Sequence, residues 1–176
     1  LSLSKVRDIS LITTPPTGRK SVKTIVSRYS KSLVFEAIQR EFYRDGQVFY
    51  LLNNVSMLED KKKEIQERFP GKTIAFAHGQ LKPKDLSKVM HSFINKEIDL
   101  LVCTTIIESG IDIENANTLI VEESENYGLS QLHQIRGRVG RSQREAYAYF
   151  LLNEAKELKN KASERIEALQ ENESLL

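Results

Sequence analysis

Cysteine is almost absent: Cys103 is the only one in 176 residues, so no internal disulfide can form. It follows the apolar run I-D-L-L-V and reads as a buried thiol of a cytoplasmic protein. No stretch approaches the roughly 20 consecutive apolar residues that a membrane span needs. The opening residues, L-S-L-S-K-V-R-D, lack the apolar core of a signal peptide. An initiator Met is missing too, and the chain reads as a fragment of something longer. Charge of one sign is scarce: 26 Lys and Arg face 24 Asp and Glu, and the net +2 is too small to imply a nucleic-acid partner. There is no internal repeat and no low-complexity tract. A phosphate-binding P-loop is lacking as well. Gly71-Lys72-Thr73 imitates its tail, but the upstream glycine it requires falls at Gln66, and a helix precedes it where a strand should.

What is present is an ordinary globular composition, 40% hydrophobic and 28% charged, in a chain long enough for one full core. Val22 to Tyr29 alternates as a half-buried strand does. Ser32 is a candidate cap for a helix carrying Val34, Phe35, Ile38 and Phe42 and stopping near Gly46. Residues 47–52 form an apolar strand. Ser56 and Glu59 have capping-box spacing and open a helix that ends near Phe69. A short strand at 73–77 precedes a helix from Pro83 with Leu86, Val89, Met90, Phe93 and Ile94 on one face. Residues 98–103, 118–122 and 146–152 are further apolar strands, and Asn153 caps a charged helix reaching about Gln170. Glu122 and Glu123 close the 118–122 strand at the ligand-facing edge. Strands alternating with helices, several of them wholly apolar, predict an α/β fold with a mainly parallel sheet covered on both faces.

The densest signal runs from Cys103 to Arg144. It ends in Arg136, Arg138, Arg141 and Arg144, four guanidinium groups suited to gripping phosphate oxygens two at a time. Ser130 is a candidate cap for a helix starting after Gly128. Continued to Arg138, that helix would put Gln134 and Arg138 on one face. Gly137 and Gly140 keep the backbone between the arginines narrow enough for an anion to approach.

Q-I-R-G-R-V-G-R resembles motif VI of superfamily 2 helicases and translocases, and T-T-I-I-E-S-G-I-D-I resembles their motif V, in the right order. The pair implies the second RecA-like lobe of a nucleic-acid motor, a three-layer fold. In such motors ATP sits between two lobes; the first carries the P-loop and the Mg²⁺ carboxylate. The resemblance implies that Arg141 is the arginine finger, with Arg138 beside it, and that Gln134 touches the attacking water or the facing lobe. Gly110 and Asp112 would line the cleft, Asp112 reaching ribose, steadying the fingers or simply capping a turn. Alone, this piece would be catalytically inactive.

Thr104 and Thr105 lie just past an apolar strand, where open α/β sheets bind ligands and where hydroxyls and N–H groups hold backbone phosphates. His78, Gly79 and Gln80 follow the 73–77 strand and resemble motif IVa; Asn53 and Asn54 stand at motif IV. His133 sits within motif VI and can help couple the lobes, while His91 reads as surface.

The two long runs from Val102 to Ser142, with R-D-I-S-L-I-T-T-P-P near the start, closely resemble the bacterial transcription-repair coupling factor family. That likeness implies residues 1–20 as an inter-lobe linker, 21–152 as the lobe and 153–176 as the first arm of a translocation hairpin. It also implies double-stranded DNA, RNA polymerase and excision-repair proteins as partners of the whole protein. The RecG-type branch-migration family shares much of motif VI and is the alternative. A second alternative, from another class, is a RecA-like interaction module without catalysis; the intact Arg138 and Arg141 pair argues against it.

Overall fold

The computed structural model describes residues 22–104, 115–140, 144–153 and 168–169. The elements are β1 (Val22–Arg28), α1 (Lys31–Tyr43), β2 (Gln47–Leu51), α2 (Leu58–Arg68), β3 (Ile74–Ala77), α3 (Pro83–Ile94), β4 (Leu100–Cys103), β5 (Ala116–Val121), α4 (Leu129–Arg136) and β6 (Ala146–Leu152). Six strands join in the order β1-β6-β5-β2-β4-β3, every pair parallel. A parallel strand cannot follow its neighbour through a tight turn, so each crossover carries chain over a sheet face and buries that face. The central strands β2, β4 and β5 are accordingly buried at every residue.

Two apolar layers result. On one face, Val34, Ile38 and Phe42 of α1 and Leu58 and Ile65 of α2 pack on Val48, Tyr50, Val102 and Ile120. On the other, Met90 and Phe93 of α3 and Leu132 and Ile135 of α4 pack on Phe49, Leu101, Leu119 and Phe150. The chain therefore leaves β2 toward one face and the adjacent β5 toward the other, which makes the gap between their C-terminal ends the topological switch point of the sheet.

Several expected caps move. α1 is capped by Ser30, whose side chain accepts from the Leu33 N–H, and Ser32 lies inside the helix. Only Ser30 has the extended backbone, φ −145°, that an N-cap needs. The Ser56–Glu59 box does not form. Asn54 acts first, accepting from Ser56 N–H at 3.2 Å and opening a single 3₁₀ turn, Val55–Met57, ahead of α2. Ser130 is likewise inside α4; the entry residue is Gly128, whose N–H donates to Gln131 Oε1 at 2.9 Å. Ile94, placed on the buried face of α3, is 44% exposed because that helix ends there. The linker 1–20 and almost all of 153–176 lie outside the described residues.

Candidate functional site

Among the described residues, the candidates fall at opposite ends of the sheet. Asn53, Thr104 and His78 follow β2, β4 and β3, which are neighbours with Leu51 opposite Cys103 and Cys103 opposite Ala77. Adjacent strands are about 4.8 Å apart, so the three positions share one edge within about 10 Å. The Leu52 N–H donates to Cys103 O at 2.9 Å and locks the first two loops together. His78 Nδ1 accepts from the Gln80 N–H at 3.1 Å, which leaves Nε2 as the protonated nitrogen of the neutral ring. That N–H is a donor suited to an anionic oxygen. Gly79 and Gln80 are exposed beside it, Asn53 is exposed, and Thr104 is 7% exposed. Thr105 lies outside the described residues, as do Gly110 and Asp112.

At the switch point a polar cleft of about 140 Å³ is lined by Asn53, Asn54, Glu122, Glu123, Asn126 and Gln131. Glu122 brings a carboxylate to this edge, where Lys61 and Tyr50 both contact it. Lys61 Nζ sits 3.1 Å from Glu122 Oε2, the Tyr50 hydroxyl donates to the same oxygen, and Lys61 also donates to Tyr29 at 3.1 Å. Burial alone would lower the Lys61 pKa, but the Glu122 charge and the Tyr29 contact raise it on balance. Burial, and then the Glu122 charge, push Tyr50 well above the usual tyrosine range. Glu123 adopts the left-handed conformation, φ 50°, and accepts from Asn153 Nδ2 at 3.0 Å, tying this loop to the end of β6.

Motif VI closes at the other end. α4 runs from the cleft back across the sheet and stops at Arg136, with Gly137 as its C-cap. Arg138 therefore lies in the turn beyond the helix, and the expected one-face alignment of Gln134 with Arg138 is not realised. Gln134 is exposed on the last turn and Arg138 is half-buried. The Gly140 N–H donates to Ala116 O, at the first residue of β5, at 3.0 Å. Gly140 has φ +67°, and a Cβ there would stand 2.5 Å from the Ala146 Cβ. Backbone and packing thus both demand glycine here. β5 has six residues; at about 3.3 Å per residue the two edges are roughly 17 Å apart. Arg141, the candidate finger, lies outside the described residues, which resume at Arg144.

Arg136 departs most from the sequence reading. It is 2% exposed and points into the protein. Nη1 donates to Thr24 Oγ1 at 2.8 Å and Leu169 O at 3.4 Å, and Nη2 donates to His133 Nδ1 at 3.1 Å. It fastens α4 to β1 and is no phosphate ligand. Burial, followed by the Arg136 charge, lowers the His133 pKa. Lys61, Glu41 and Arg136 were missed as structural charges, yet their spacing shows them. Lys61 falls three after Leu58 and four before Ile65; Glu41 falls three after Ile38; Arg136 falls four after Leu132. Each stands on the apolar stripe of its helix.

This architecture matches known proteins. The model of the helicase conserved C-terminal domain covers residues 31–143. The transcription-repair-coupling factor of Staphylococcus haemolyticus (strain JCSC1435) is 52% identical over 171 residues, which are 97% of this chain and 15% of that protein. Among solved structures, RecG bound to a three-way DNA junction aligns with a TM-score of 0.77 at 33% identity, over 89% of this chain and 21% of RecG. Lhr of Mycobacterium smegmatis, bound to single-stranded DNA and AMP-PNP, aligns at 0.66 over 91% of this chain and 22% of its own; at 14% identity it speaks for the fold alone. The chain thus spans about 15% of the length of the curated relatives it matches. With a RecA-like parallel sheet and motif VI closing its N-terminal edge, the chain belongs to the helicase conserved C-terminal domain family, and its curated homologues are transcription-repair-coupling factors.

Proposed function

We propose that this lobe is the second half of an ATP-dependent double-stranded DNA translocase, gripping DNA at the C-terminal edge of its sheet and completing the ATP site at the N-terminal edge. The observation that carries this reading is the separation itself: Asn53, His78 and Thr104 gather at one edge, and the Arg138–Gly140 turn is fastened to Ala116 at the other. A motor needs two contacts that can be loaded independently and linked by a stiff body, and a buried parallel sheet is such a body.

At the nucleotide edge, Arg141 supplies positive charge to the γ-phosphate as the loose transition state forms, with Arg138 beside it and Gln134 toward the attacking water. A finger of this kind contributes roughly 10³–10⁵ in rate. Gly110 and Asp112 line the same cleft. The P-loop and the Mg²⁺ ligands belong to the first lobe. At the DNA edge, Thr104, Thr105, Asn53, Gln80 and the Gly79 backbone offer neutral donors, and His78 offers Nε2–H. Such groups hold phosphates without reading bases.

In the whole protein, residues 1–20 link the lobes, 21–152 form this lobe and 153–176 begin a translocation arm. The work done on DNA displaces RNA polymerase stalled at lesions in the cytoplasm and brings excision-repair proteins to them. The 52% identity to a transcription-repair-coupling factor supports this role over fork remodelling, where the RecG match stands at 33%. The test is Arg141→Ala in the full-length protein. kcat should fall by about 10³-fold with ATP affinity little changed, because the lost contact matters in the transition state. Near-normal kcat would remove the finger assignment.

A further inference from the structure

One corner of the nucleotide edge, where α1 ends and β6 begins, is held by charged groups. Glu41 has a side chain with no exposure, yet it is ionically paired. Arg44 grips it with two bonds, Nε to Oε2 at 2.8 Å and Nη2 to Oε1 at 2.7 Å. The Thr118 hydroxyl of β5 donates to the same carboxylate. Gly46 leaves room for it; a Cβ there would fall 1.8 Å from Glu41 Oε2. The Arg44 guanidinium also lies 5.3 Å from the centre of the Tyr147 ring on β6. Arg44 is thereby fixed from two sides, and it is the C-cap residue of α1.

Its carbonyl is the acceptor that matters. Arg144 Nη1 donates to Arg44 O at 2.6 Å, a cation set on the negative end of a helix. Arg144 follows Arg141, the last residue of motif VI, by three positions. Gly140 is fastened to Ala116 on one side, Arg144 to Arg44 on the other, and only residues 141–143 separate them.

We propose that Glu41, Arg44 and Arg144 are positioning residues for ATP turnover, an anchor three residues beyond Arg141 in the sequence. The proposal rests on the reading of Arg141 as the finger. Arg144 acts through the α1 terminus and not on phosphate, and Glu41 acts by stiffening that terminus from the core. No bond to substrate is involved.

The experiment uses the full-length protein and four variants beside Arg141→Ala. Arg144→Ala should lower kcat about 10- to 100-fold, since a displacement near 1 Å at a reacting group can cost about 10²-fold. KM for ATP and affinity for a random-sequence duplex should stay within about twofold, as for an interaction expressed only in the transition state. Tm should barely move, because the contact is exposed. Arg144→Lys should restore most of the rate, since one N–H donor suffices for a carbonyl. Arg44→Ala should lower kcat in the same direction by less, and the double Arg44→Ala/Arg144→Ala should be no slower than Arg144→Ala. A lower Tm with unchanged kcat in Arg144→Ala would overturn the proposal, as would Arg144→Lys as slow as Arg144→Ala, which would put Arg144 on the phosphate itself. Should Arg141→Ala abolish turnover while Arg144→Ala does not, the anchor alone fails. Should Arg141→Ala itself retain turnover, the finger reading fails first.

Discussion

The Gly140 N–H reaches the carbonyl of Ala116 at 3.0 Å, so the last glycine of motif VI is bonded to the first residue of β5. The strand that ends at the polar cleft therefore begins at the arginine loop, and β5 spans the whole distance between the two candidate sites. β5 thus joins Glu122 at one end to the Arg138–Gly140 turn at the other.

Gly140→Ala tests how far that seat depends on glycine. The left-handed backbone costs an L-residue about 1–2 kcal/mol, and the Cβ would press on Ala146 at 2.5 Å, adding about 1–3 kcal/mol of overpacking. A loss of about 2–5 kcal/mol is expected in urea unfolding of this chain. A loss below about 0.5 kcal/mol, the range of a neutral surface change, would mean that the turn rearranges freely.

Lys61→Met tests the charge balance at the C-terminal edge of the sheet. Lys61 is 8% exposed and Glu122 13%, so removing the cation leaves a nearly buried carboxylate without its counter-charge. Breaking one side of a buried pair costs about 3–5 kcal/mol, and the remaining solvent access of Glu122 brings the expected loss to about 2–3 kcal/mol. Lys61→Met/Glu122→Gln should recover most of it in the same denaturant series. No recovery would show that the ammonium group's contacts with the Tyr29 and Tyr50 rings carry the stability instead.

His133 gives a pH dependence. Burial and then the nearby Arg136 hold its folded pKa below the usual 6.5, so the unfolded chain binds the proton more readily. The stability it contributes is present above 6.5 and is lost as pH falls from there toward the folded value. Tm of this chain should drop as pH falls below about 6.5, and His133→Gln should flatten that drop. An equal drop in the variant would assign the acid sensitivity to other groups.

Much of this architecture can be read from residue order. Strands alternating with amphipathic helices, several of those strands wholly apolar, imply a covered parallel sheet, and β2, β3, β5 and β6 lie within two residues of their expected limits. Caps were harder because Ser30 and Ser32, or Asn54 and Ser56, offer the same chemistry; only the backbone angle chooses between them. The arginines were harder still. Charge suggests a solvent-facing cluster of four, but Arg136 shares the stripe of Leu132 and Ile135 and is drawn inside, where Thr24 and His133 satisfy it. Arg144 reaches across 100 residues of sequence to Arg44, a pairing no local pattern announces.

The central claim is that DNA and ATP are served from opposite edges of one sheet. The most direct test is ATP turnover by the full-length protein, with and without a random-sequence duplex, in Arg138→Ala and His78→Ala measured side by side. The account predicts that Arg138→Ala loses basal and DNA-stimulated rates alike, by about 10²-fold or more, as expected for a group serving the phosphoryl transition state. His78→Ala, and Thr105→Ala with it, should keep the basal rate and lose most of the stimulation. Equal loss of both rates in His78→Ala would contradict it and place the C-terminal edge in nucleotide chemistry or in the fold.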